Sequence, residues 1–237
     1  MHSVIAAIPE EELLALAGRF TEAGVGGNER QRVHVRGGHL AATDGRILLH
    51  VESPAVRDTE GAVSSVVGFR PEYPATRVAG ADWVMGELAP AIAEKHAQAE
   101  KRARAAHEEA EREARRKAKT CPHCYGEVVV DENGDLVDFD EYLAELQAAA
   151  AEGPSVWLHF GGARLARKVR LHYLATALDA ARRLGGDAEL WIGEGIQVIL
   201  WGAGFFVVIA TMRRDGRDVE DDIDVQVPAA DDGRAAP

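Results

Sequence analysis

Positive charge is the first thing this chain is short of: 27 Lys and Arg stand against 39 Asp and Glu, for a formal net charge of −12. That excludes the globally basic surface by which many proteins hold nucleic acid, so any contact with phosphates has to be local. Cysteine is scarcer still. Cys121 and Cys124 are the only two, too few for a disulfide framework and too close together to staple distant segments, which argues against oxidative secretion. No uninterrupted apolar run reaches the roughly 20 residues that a membrane helix requires. The N-terminus also lacks a basic segment followed by an apolar one. The expectation is a soluble, cytoplasmic protein with no membrane partner. A catalytic constellation is missing too. His34, His39 and His50 fall in expected strands, but no nucleophile with its base, phosphate loop or paired carboxylates accompanies them; they read as core or surface histidines, and the chain as no enzyme.

What is present suits a globular protein: 237 residues, 46% of them hydrophobic, can bury one sizeable core or two small ones. The plan is clearest from Arg167 to Arg213. Leu174, Leu178 and Ala181 recur at helical spacing over Tyr173 to Leu184, and Gly185-Gly186 ends the run. Three β-rich stretches follow, Asp187 to Gly193, Ile196 to Trp201 and Phe205 to Met212, separated by Glu194-Gly195 and Gly202-Ala203-Gly204. The N-terminal part has the same order. A strand is expected at His2 to Ile8, a helix from Pro9 to about Phe20, then strands Arg32 to Arg36, His39 to Thr43 and Arg46 to Glu52, with turns at Gly37-Gly38 and Asp44-Gly45. Asp44-Gly45 between apolar runs predicts a two-residue hairpin of type I′. Two copies of strand, helix and meander point to an internal duplication. A further strand is expected at Ala62 to Phe69.

Ala81 to Lys119 changes character: after Pro90 it is mostly Ala, Glu, Lys and Arg, which predicts one long helix. Glu100 and Arg104, Glu108 and Arg112, Glu111 and Arg115, and Glu113 and Lys117 are i, i+4 pairs in the favourable order, each contributing a few tenths of a kcal/mol. Ala99, Ala103, Ala106 and Ala110 form a thin seam that reads as a solvated face or as a coiled-coil contact. Cys121-Pro122-His123-Cys124 follows, with a hairpin from Val128 to Phe139. Thiolates of Cys121 and Cys124 are the spacing of half a zinc ribbon. The metal reading needs two more ligands, from His107, His123 or a second copy of the chain; the other reading is a reduced knuckle without cofactor. Asp138 with Glu141 makes a capping box for a helix ending near Glu152.

A strand at Ser155 to Phe160 leads into Ala163 to Arg170, where Arg164, Arg167, Lys168 and Arg170 come without an acid among them. They read as a solvated strand edge or, with Arg183, as a local DNA contact. From Arg214 to Pro237 eight acidic residues face three basic ones, and the tail is expected to be disordered.

Two stretches carry a resemblance to the bacterial sliding clamp, the β subunit of the replicative DNA polymerase. Leu40-Ala41-Ala42-Thr43-Asp44-Gly45-Arg46-Ile47-Leu48 is similar to that family's Ala-Thr-Asp-Gly-His-Arg-Leu segment. Tyr173-Leu174, Ala177-Leu178-Asp179-Ala180 and Val207-Val208-Ile209-Ala210-Thr211-Met212-Arg213 resemble the family's last half-domain. The resemblance implies an α+β, DNA-clamp-like domain built from two strand-helix-three-strand repeats, residues 1–80 and 155–213. Residues 81–154 would be an inserted helical arm with the Cys-containing hairpin, and 214–237 the acidic tail. It implies a non-enzymatic replication accessory whose partners are DNA and a polymerase. A polymerase peptide would dock at the positions matching the family's pocket: Thr43, Asp44, Gly45, Leu48, Met212 and Arg213. A closed ring needs six such domains and this chain has enough for one, so the expected state is a homo-oligomer. The alternative is an adaptor that uses the domain as a scaffold for the arm.

Overall fold

A computed structural model of the chain describes residues 4–21, 30, 32–71, 75–120, 127–130, 135–150, 153–160, 166–193, 197–212 and 222–228, with the backbone alone described at 4, 6 and 145–150. In chain order the helices are α1 (Glu10–Gly18), α2 (Ser64–Val67), α3 (Ala81–Trp83), α4 (Ala89–Lys117), α5 (Phe139–Ala150) and α6 (Leu171–Arg183). The strands begin with β1 (His34–Arg36), β2 (His39–Thr43), β3 (Ile47–Glu52), β4 (Ala75–Ala79), β5 (Lys119–Thr120), β6 (Glu127–Val130) and β7 (Leu136–Asp138). They continue with β8 (Ser155–Phe160), β9 (Ala166–Arg170), β10 (Ala188–Gly193), β11 (Gln197–Gly202), β12 (Phe205–Ala210) and β13 (Ile223–Val227). The fold is mixed α+β and separates into two compact units, Met1–Ala93 with Ser155–Pro237, and Glu94–Pro154. Among the described residues no helix is long and apolar enough to cross a membrane.

The first unit is built on a seven-stranded sheet in the order β1-β2-β3-β12-β11-β10-β4, with every neighbouring pair antiparallel. Strand alternation divides its side chains into two faces. Register puts Val35, Leu40, Leu49, Val51, Val207, Ile209, Val198, Leu200 and Leu190 on one face, all fully buried. Helix α1 touches β2, and α6 touches β11 and β12; their stripes Leu13, Leu16, Ala17 and Leu174, Ala177, Leu178 are buried in the same unit. The opposite face carries a second apolar cluster of Ala75, Trp191, Ile199, Phe206 and Val208, with Leu48, Phe69 and Trp201 at its margin.

Several elements depart from expectation. Residues 4–7 form a 3-10 turn, not a strand, which runs into α1 through Ile8 N–H to the Ile5 carbonyl. Ala6-Ala7 has little β propensity, and Pro9 favours entry into a helix. The stretch expected to be a strand at 62–69 contains α2: Val63, Val66 and Val67 also have i, i+3, i+4 spacing, and here they pack on Ala41 of β2. At Asp44-Gly45 the last strand pair is Thr43 with Leu48, so the turn holds four residues. Asp44 Oδ1 accepts from the N–H groups of Arg46 (2.7 Å) and Ile47 (2.9 Å), and the side chain thereby replaces the two-residue geometry. Gly45 takes the left-handed φ of +91° that this turn needs. The two-residue turn between directly paired neighbours is instead at Gly37-Gly38.

β8 and β9 pair antiparallel in a separate three-stranded sheet, and β13 adds to β8 in parallel. β13 lies in the tail expected to be disordered. Ile223, Val225 and Val227 alternate there with Asp224 and Gln226, a strand pattern that the acidic composition conceals, and Val227 is buried.

The second unit contains most of α4, the three-stranded sheet β5-β6-β7 and α5. Expected i, i+4 pairs form at Arg112–Glu108 (3.2 Å), Arg115–Glu111 (2.8 Å) and Lys117–Glu113 (2.7 Å). Lys117 also donates to the Tyr142 hydroxyl at 3.0 Å, and Asp138 Oδ1 accepts from Asp140 N–H at the start of α5. Ala110 and Ala114 are buried, whereas Ala106 of the expected seam is exposed. Cys121 and Cys124 lie outside the described residues, so the two strands β6 and β7 of the expected hairpin are described without its knuckle.

Candidate functional site

Where β3 pairs with β12, the sheet face away from α1 and α6 opens into a groove of about 350 Å³. Thr43, Gly45, Arg46, Ile47 and Leu48 line one side, Gln197, Val208 and Ala210 the floor, and Ser65, Val66 and Phe69 another side. The register that sets Leu48 opposite Val208 brings together a turn and a strand some 160 residues apart in sequence. The lining is mostly apolar. Gln197 Oε1 is buried there without a hydrogen-bond partner among the described residues, an acceptor available to a ligand N–H.

Of the positions expected to hold a peptide, Thr43, Gly45 and Leu48 line the groove. Thr43 Oγ1 donates to the Ile47 carbonyl and accepts from Gly45 N–H, bonds that stay within the turn. Asp44 supports the turn from behind: Oδ1 closes it and Oδ2 accepts from the Tyr173 hydroxyl of α6 at 2.8 Å. Burial, followed by the hydrogen bond to Asp44, pushes the Tyr173 phenol above its ordinary pKa. Met212 is not part of the lining; its sulfur accepts from Ser155 Oγ at 3.4 Å and its N–H donates to the Lys168 carbonyl. Arg213 lies outside the described residues. The residues that sequence reasoning missed, Val208 and Ala210, stand on the same strand run as Met212, and strand alternation from β12 is the signal that would have found them. Ser65, Val66 and Phe69 were hidden by the strand expected at 62–69.

The basic cluster does not stay together. Arg164 lies outside the described residues. Lys168, another of the expected DNA contacts, is engaged within the protein: its side chain is 8% exposed, it pairs with the equally buried Asp222, and its ammonium lies 5.2 Å from the Trp157 ring centre. An ammonium held that way has no face for a phosphate. Alternation along β9 also turns Arg167 to the face opposite Lys168 and Arg170. Arg183 donates to Asp179 at 3.0 Å, beside Arg182 at 2.8 Å and Arg19 of α1. Burial opposes ionisation of Asp179, but these guanidinium groups outweigh it and hold the carboxyl below its usual range.

The groove's neighbour on the same face is a cluster of His39, His50 and Glu52, whose ligand-type atoms all lie within 4.8 Å of one another. His50 is fully buried, stacked on Phe206 with ring centres 4.7 Å apart and planes at 7°, and its Nε2 is 3.3 Å from Arg70 Nη1. Burial first, then the charges of Arg70 and His39, lower its pKa to about 4, so the ring is neutral at physiological pH. His34, the third strand histidine, accepts from Val63 N–H at Nδ1 and caps the approach to α2. No family model and no curated protein matches this chain.

Proposed function

We propose that the chain is a non-enzymatic binding protein of the DNA-clamp kind, whose groove takes a short extended peptide from a DNA polymerase. The observation that carries this reading is the groove itself. Thr43, Gly45 and Leu48, the positions that the resemblance assigns to peptide docking, line it together with the end of β12. In the resembled family two domains supply those segments; here the β3–β12 pairing supplies both from one. An apolar channel with one buried, unpartnered acceptor suits an extended peptide, which offers apolar side chains and main-chain N–H groups.

Topology supports the clamp reading as well. β1-β2-β3 and β12-β11-β10 run outward from the central β3–β12 pair in corresponding order, and each is preceded by a helix that touches its middle strand, α1 on β2 and α6 on β11. That is the arrangement two strand-helix-meander repeats would produce, with the opening strand of the first replaced by the 3-10 turn. DNA contact is no part of what supports this reading, since Arg167 and Arg170 face opposite sides of β9 and Arg183 pairs with Asp179. Encirclement would require several copies of the chain.

The test is fluorescence anisotropy with a labelled peptide spanning the clamp-binding segment of a replicative DNA polymerase. Saturable binding is expected, weakened about thirtyfold by Leu48→Ala, which removes about 2 kcal/mol of apolar contact, and weakened also by Gln197→Met. Absence of binding, or binding indifferent to both changes, rejects the groove. The second reading, an adaptor that displays its arm to a protein partner, is favoured by the compactness of Glu94–Pro154 as a unit of its own.

A further inference from the structure

We propose that the β2–β3 hairpin carries a binding site for a divalent transition-metal cation of zinc's chemical class, with His39, His50 and Glu52 as ligands. His39 and Glu52 are directly paired across the two strands, and His50 stands two residues before Glu52, so strand alternation points all three side chains to one face. Their donor atoms already lie within 4.8 Å of one another. A tetrahedral ion with bonds of about 2.1 Å sets its ligand atoms roughly 3.4 Å apart, a distance reached by small rotations of the half-buried His39 and the exposed Glu52.

A second observation is independent of that spacing. The Nδ1 atoms of both His39 and His50 are buried and have no hydrogen-bond partner among the described residues, although His50 is fully enclosed and lies flat on Phe206. A buried polar atom left unpaired is costly, and a cation bound by both rings would remove that cost. Two imidazoles and one carboxylate match zinc, cobalt or nickel; calcium and magnesium want oxygen ligands throughout. Three protein ligands leave a coordination position for water or for a group from outside the chain.

Arg70 occupies the approach. Its Nη1 is 3.3 Å from His50 Nε2 and also donates to the carbonyls of Phe69 and Val67. A guanidinium so close repels an incoming cation; with the ion on Nδ1 the ring proton moves to Nε2, which then no longer accepts from Arg70, and those two carbonyls give the guanidinium somewhere to remain.

The test uses the full chain with Cys121→Ser and Cys124→Ser, so that thiolates contribute nothing. Cobalt(II) is titrated by its visible absorption and zinc(II) by calorimetry. One ion per chain is expected; Glu52→Gln and His39→Gln should each weaken binding about tenfold or more. Both side chains are accessible enough for the variants to fold, which circular dichroism checks. Arg70→Gln should tighten binding several-fold. No saturable binding, or affinity unmoved by Glu52→Gln and His39→Gln, overturns the site; unchanged or weaker binding in Arg70→Gln overturns the competition assigned to that residue.

Discussion

Asp44 closes its own turn with one carboxylate oxygen and reaches α6 with the other, through the Tyr173 hydroxyl. The turn that borders the groove is thereby fixed to the helix behind it. Removing the hydroxyl leaves Asp44 partly exposed to water, so Tyr173→Phe should cost about 1 kcal/mol, or roughly 2–4 °C in Tm. Asp44→Ala loses the turn bonds too and should cost more, with groove affinity falling in parallel. Thermal unfolding of both variants checks the ranking; equal losses would mean that the helix contact carries the whole effect. The Asp-Gly pair announces a turn in the sequence, but the reach to Tyr173, 129 residues away, is not visible there.

At the scale of elements, β13 decides what happens to β8. Without it the edge of β8 would lie open, with Val156, Leu158 and Phe160 all buried only in the folded sheet. The strand is anchored by Asp222, which pairs with Lys168 and accepts from Ser155 N–H at 3.1 Å. Breaking a buried pair from one side leaves an uncompensated charge, so Asp222→Ala should destabilise by about 3–5 kcal/mol, whereas replacing both partners, Lys168→Met with Asp222→Leu, should cost much less. Chemical denaturation of the single and double variants measures the difference; strict additivity would refute the pairing. Truncation after Thr211 should give a chain that aggregates. Composition hid this strand because the acidic residues around it resemble a solvated tail, and an acid count carries no information about a lysine buried elsewhere.

At the scale of the whole molecule, the boundary of the arm matters. Sequence composition places it at Ala81, but Val84, Leu88 and Ile92 are buried in the first unit, which extends to Ala93. Replacing residues 94–154 with a flexible linker should therefore leave a folded protein, while replacing 81–152 should unfold it by stripping those three side chains from the core. Light scattering on the 94–154 deletion then separates the two functional readings. An oligomer that keeps its stoichiometry supports the clamp reading, and a monomer derived from an oligomeric parent makes the arm the assembling element.

By itself the sequence determined what local interactions can decide. The long helix follows from ion pairs four residues apart, α6 from the spacing of Leu174, Leu178 and Ala181, and the tight turn of the first hairpin from Gly37-Gly38. Tertiary structure decided which strands meet. Alternation with a period of two marks a strand but does not name its partner, so the β3–β12 pair that forms the groove, the β8–β13 pair that buries Lys168, and the register that sets His39 beside Glu52 could be known only once the chain had closed on itself.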